Sequence, residues 1–158
     1  MKKYILISLL CLIPLSSWAQ SPEDDNWDKI ISDVINNKEF TVQINQVSPR
    51  RGRTFYPTTS YRVKIKNDSI FSYLPYMGRA TSISYGGGEG LNFKAPLRDY
   101  EAKLVKNKRI SVVLNTKSRD DTYRYSFSIH PNGKASIDVQ AINRESISFM
   151  GEIVDSQK

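Results

Sequence analysis

The chain holds one cysteine and one histidine among 158 residues. It has no apolar run of the roughly 20 residues that a membrane-crossing helix needs, and no internal repeat. Each scarcity closes off a class of function. One histidine and one cysteine cannot build a zinc cluster, and no Cys–His pair is available where the two stand apart in sequence without further partners. The cysteine is Cys11, inside an apolar stretch from Tyr4 to Leu15 that follows Lys2 and Lys3. Positive residues, then a short apolar run, then the small residues Ser17 and Ala19, make the order of a secretory signal peptide. Cleavage is expected between Ala19 and Gln20. Cys11 is a poor lipoprotein box, because bulky Leu10 precedes it. If residues 1–19 leave, disulfides, thiol nucleophiles and thiolate metal sites leave with them.

Residues 20–158 then form the mature chain, with 20–38 as a polar segment and helix and 39–158 as one β domain. Losing Lys2 and Lys3 from 23 basic residues leaves 21 against 16 acidic ones, a charge near +5. Such a balance favours anionic partners. Outside the cytoplasm these are lipid, acidic glycan or an envelope protein, not nucleic acid. The plain alternative is that the charge serves solubility.

Trp27, Ile30, Ile31, Val34 and Ile35 follow helical spacing, and Glu23, Asp24 and Asp25 suit a helix N-terminus. One amphipathic helix is expected near 24–37. Its acidic polar face argues against a membrane-surface helix. From residue 39 the period becomes two. Phe40, Val42 and Ile44 alternate with polar residues; so do Tyr61, Val63 and Ile65; so do Tyr123, Tyr125, Phe127 and Ile129. Alternation of this kind marks antiparallel sheet with one buried face. Pro131-Asn132-Gly133 is a hairpin signal.

About ten short strands are expected, near 39–47, 58–66, 69–74, 80–85, 90–94, 98–106, 109–115, 121–130, 134–141 and 145–154. Short connections favour a meander. A sheet of that size must hide its apolar face. The expected fold is mostly β, a small barrel or curved half-barrel with one N-terminal helix. A two-sheet sandwich is second. The charged polar face argues against a lipid-exposed barrel.

Little here carries catalysis. His130 lies on a strand's polar phase beside a turn. Asp68, Glu89, Asp99, Glu101, Asp120, Asp121 and Asp138 fall at turns or on wet faces, where a raised pKa is not expected. Asp120-Asp121 lacks the regularly spaced oxygen ligands of a cation loop. Gly86 to Gly90 lacks the Lys-Ser/Thr of a phosphate loop. No cofactor is implied.

The most unusual segment is Tyr73-Leu74-Pro75-Tyr76-Met77-Gly78-Arg79-Ala80, with Tyr85 beyond. Pro75 places an edge or a bulge here. Tyr73, Tyr76 and Tyr85 suit stacking on a sugar or lining an apolar pocket, and Arg79 suits a carboxylate or phosphate. These four are the candidate ligand residues. The structural alternative is a kinked strand whose tyrosines pack. Arg50, Arg51 and Arg53 crowd one basic loop; Lys103, Lys106, Lys108 and Arg109 crowd another turn.

Leu74-Pro75-Tyr76-Met77-Gly78-Arg79-Ala80, the stretch before Leu91-Asn92-Phe93, the strand Tyr123 to Ile129, and Asn143-Arg144-Glu145-Ser146-Ile147-Ser148-Phe149-Met150-Gly151-Glu152-Ile153 together carry a resemblance. From about Phe40 to Ile153 the chain resembles an exported bacterial family known as domain of unknown function 4251. The resemblance implies a single-domain envelope protein and brings no catalytic residues. Many relatives look lipid-anchored through a cysteine, for which Cys11 is misplaced. The expected function is a non-catalytic binding or interaction module for an apolar, amphiphilic or anionic ligand. An assembly protein is the alternative, and a two-carboxylate glycan hydrolase a less favoured one.

Overall fold

A computed structural model describes residues 22–78, 90–106 and 109–154. Eight antiparallel strands, each paired with its neighbours in sequence, close on themselves as a barrel. They are β1 (Phe40–Pro49), β2 (Arg62–Lys66), β3 (Ser69–Leu74), β4 (Leu91–Val105), β5 (Arg109–Lys117), β6 (Thr122–Ile129), β7 (Lys134–Ala141) and β8 (Ile147–Val154). Closure is the expected cure for a sheet with one apolar face, because it hides the face and leaves no free edge. β1 pairs with β8 across the seam.

Among the described residues eight strands stand where about ten were expected in the whole chain, for two reasons. The expected segments 90–94 and 98–106 are one strand, β4, bent where its pairing with β5 slips between Leu97 and Asp99. An extra residue there flips the inward phase, so one bulged strand looks like two in sequence. The expected strand 80–85 lies outside the described residues. The segment 58–66 is also shorter: β2 starts at Arg62, and the chain before it meets β1 through scattered contacts, a bridge from Phe55 to Val47 and a hydrogen bond from the Ile44 amide to the Tyr61 carbonyl at 2.9 Å among them.

The helix is near its expected place. α1 runs Pro22–Ile31 and continues as a π-helical turn over Ser32–Asn37. Lys38, in the left-handed region at φ 52°, stops it. Ile30 and Val34 are buried against the barrel end that holds Phe40. The Tyr100 hydroxyl donates to the Val34 carbonyl at 2.6 Å, tying the turn to β4. The apolar stripe therefore caps one end of the barrel. No helix among the described residues is long and apolar enough to cross a membrane.

Inside, an aromatic column runs the length of β6. Phe40 meets Phe127 edge to face at 5.4 Å; Phe127 and Tyr125 follow at 6.2 Å, Tyr125 and Tyr123 at 6.3 Å. Phe93 stacks on Tyr123 at 4.9 Å. Ile65, Ile70, Leu114, Ile137 and Phe149 fill the space around them. The Tyr125 hydroxyl lies 3.0 Å from Ser72 Oγ, and Ser72 donates its one proton to the Leu91 carbonyl at 2.7 Å. Tyr125 is therefore the donor to Ser72, and the buried phenol is satisfied.

Candidate functional site

The turns opposite α1 gather the polar groups. β3 ends at Leu74, where Pro75 cannot extend the ladder. Tyr76 then turns back over the barrel end, and its hydroxyl donates to the Glu145 carbonyl at 3.2 Å. Gly78 permits this, since a side chain at Gly78 would collide with the Tyr76 ring. Arg144, from the β7–β8 connection, lies against the same ring at 5.4 Å. Its other neighbour is Asp121, from the β5–β6 turn, at 3.9 Å. The Tyr123 hydroxyl donates to the Gly90 carbonyl at 3.1 Å. Arg51, from the β1–β2 connection, pairs with Glu145 at 3.5 Å. Four connections thus converge on one end.

Asp121 and Arg144 are nearly sealed, with side chains 1% and 6% exposed. The carboxylate is well satisfied. Its Oδ1 accepts from the Thr122 amide at 2.8 Å and from Asn143 Nδ2 at 3.4 Å; its Oδ2 accepts from the Asn143 amide at 3.1 Å. Arg144 Nε is different, because it is buried and has no hydrogen-bond partner. A guanidinium offers five donors in a planar fork, and leaving a buried one unused is costly. Burial pushes the phenols of Tyr76 and Tyr123 up, while the nearby Arg144 charge pulls both down.

The candidate residues read from sequence separate. Tyr76 belongs to this cluster. Tyr73 does not: it points outward from β3, is 46% exposed, and its ring lies 5.3 Å from that of Tyr61. Strand alternation forces this, since Leu74 beside it faces in. Arg79 and Tyr85 lie outside the described residues. Asp121 was expected at a turn or on a wet face; it is at a turn, and that turn folds inward and buries it. Arg144 and Asp121 were missed as a pair because they stand 23 positions apart in a chain read without its closure. Arg144 did stand in one of the segments that carried the family resemblance, and Tyr76 in another; the barrel brings the two together.

His130 is exposed at the α1 end. Among the described residues no three His, Cys, Asp or Glu side chains group as metal ligands. Among the described residues, clefts of about 240 and 460 Å³ open on the outside, one between α1 and the β8 end, another over Tyr56, His130 and Met150. The lumen itself is occupied by side chains.

A crystal structure of a DUF4251 family protein from Bacteroides eggerthii DSM 20697 has the same fold, with a TM-score of 0.62 over 82% of this chain and 87% of that one, at 15% identity. No functionally curated protein matches the chain. The profile described as "Domain of unknown function (DUF4251)" matches residues 23–153. A match over most of the length settles membership: the chain belongs to the DUF4251 family.

Proposed function

We propose that this is an exported, non-catalytic binding module that grips an acid group of an amphiphilic ligand or partner at the barrel end opposite α1. The buried Arg144 Nε, which makes no hydrogen bond, carries this reading. Asp121 neutralises the guanidinium, yet its oxygens are already committed to Thr122 and Asn143. The Nε donor of Arg144 is therefore left without an acceptor, and bidentate carboxylate or phosphate recognition is what a guanidinium does best. Met77 and Ile142, 57% and 75% exposed, adjoin Tyr76 and Asn143 in sequence and add apolar surface to the same rim. Side chains fill the lumen, which supports a site at the rim over one within the barrel. Export rests on the N-terminal signal pattern, and the lack of catalysis on the absence of paired acid and base groups in the sequence.

The test is native mass spectrometry of the protein purified from its own envelope fraction. The expected result is a retained acidic species that Arg144→Gln releases while the fold, followed by circular dichroism, persists. A bare protein mass, together with no change in amide shifts on adding acetate, phosphate or a fatty acid, would sink the reading.

A further inference from the structure

The outer wall of β2, β3 and β4 carries charge of one sign. The strand register sets its outward residues in three rungs: Arg62–Tyr73–Asn92, Lys64–Phe71–Lys94 and Lys66–Ser69–Pro96. Four of these nine positions are cations and none is an acid. Lys66 is answered by Glu39 at 2.7 Å. Arg62, Lys64 and Lys94 have no ion-pair partner among the described residues. The aromatic residues lie between them. Phe71 is 37% exposed with Lys94 Nζ 4.8 Å from its ring centre, and Tyr73 is 46% exposed beside Tyr61. The wall of β7 and β8 differs, since its outward Lys134 stands opposite Glu152 and Asp138 opposite Ser148.

We infer that the β2–β4 wall is a second binding surface, whose occupant is an acidic glycan. Charge complementarity calls for a polyanion, because three unanswered cations sit within two rungs. The exposed rings between them supply flat apolar faces for sugar rings, a use open to Tyr and Phe on a solvated surface. A rung is about 10 Å wide across three strands, and the rungs stand about 7 Å apart along them. That suits a slender chain laid across the strands. A lipid surface fits less well. Membrane-surface binding needs a continuous apolar face to sink into the acyl boundary, and here every ring is flanked by a cation or an amide. The surface lies on the barrel's side, apart from Arg144.

The test uses the full mature chain and immobilised polygalacturonate, with dextran as the neutral control and palmitoyl-oleoyl phosphatidylglycerol vesicles and a single-stranded oligonucleotide as competing polyanions. The expected result is salt-dependent binding to polygalacturonate and none to dextran. Lys64→Glu with Lys94→Glu should weaken it roughly tenfold or more. Arg124→Glu with Lys134→Glu makes the same change in net charge on other walls and should move affinity by less than about twofold. Tyr73→Ala and Phe71→Ala should each lower affinity about fivefold without changing its salt dependence. Arg144→Gln should leave it unchanged, which keeps this surface distinguishable from the rim. Equal losses from both charge-swapped pairs would overturn the inference, as would insensitivity to the ring substitutions. Tighter binding to the vesicles or the oligonucleotide than to polygalacturonate would also overturn it.

Discussion

The Asp121 carboxylate accepts three hydrogen bonds, none of them from Arg144. Asp121 and Arg144 meet at 3.9 Å, so their coupling is Coulombic. The two residues should therefore fail differently. Asp121→Ala removes the acceptor for two backbone amides and leaves a buried cation uncompensated, a loss of about 3–5 kcal/mol. Arg144→Met removes the charge whose Nε is unsatisfied and keeps a stem against the Tyr76 ring. Asp121 still holds its hydrogen bonds, so the loss should be only about 1–2 kcal/mol. Urea unfolding of both variants measures the difference. Equal losses would mean that Arg144 serves the fold as much as Asp121 does, and would weaken the case for a ligand grip. The sequence offered only half of this arrangement. Arg144 and Tyr76 stood in conspicuous segments, whereas the burial of Asp121 depends on how the β5–β6 turn folds over the barrel end, which alternation does not encode.

At the scale of the element, the seam between β1 and β8 is the demanding one. β1 carries an irregularity between Ile44 and Gln46 where it pairs with Gly151 and Met150. A Cβ at Gly151 would overlap the Gln43 carbonyl oxygen, which is main chain and cannot swing aside. Gly151→Ala should thus destabilise the barrel by about 1–3 kcal/mol or more, as overpacking does. Thermal unfolding checks this, and a melting temperature within a degree or so of the parent would show that the seam can relax. Gly151 was visible in sequence only as a residue in a distinctive run; its reason is the close approach of two backbones that closure alone creates. β4 teaches the converse. Leu91, Phe93 and Ala95 set one inward phase and Tyr100 and Ala102 another. Period-two reading identified both halves correctly and could not join them, because a bulge shifts the phase without ending the strand. Most strands and the helix were legible, since each buries one face with its own period.

For the whole molecule, packing phenols into a sealed barrel should make stability depend on alkaline pH. Burial raises the pKa of Tyr125 and Tyr100 far above the ordinary 10.0. Tyr76 and Tyr123 are raised as well, again by burial first. A folded pKa above the unfolded one means that the native state holds protons the unfolded chain has released. The stability these phenols contribute is therefore whole below pH 10 and is lost as pH climbs from there toward the folded values. One pH unit above the unfolded pKa, Tyr125 alone should account for about 1.4 kcal/mol of that loss. Lysine titration adds a background common to any variant. Tyr125→Phe isolates the phenol. Near neutral pH it should be less stable by about 1 kcal/mol, the worth of the hydrogen bond to Ser72. It should lose less stability than the parent as pH rises, so the two curves converge above pH 10 and then cross. Parallel curves from urea midpoints taken at successive pH values would mean that Tyr125 titrates as though exposed. The aromatic column would then not be the sealed core that fills the barrel.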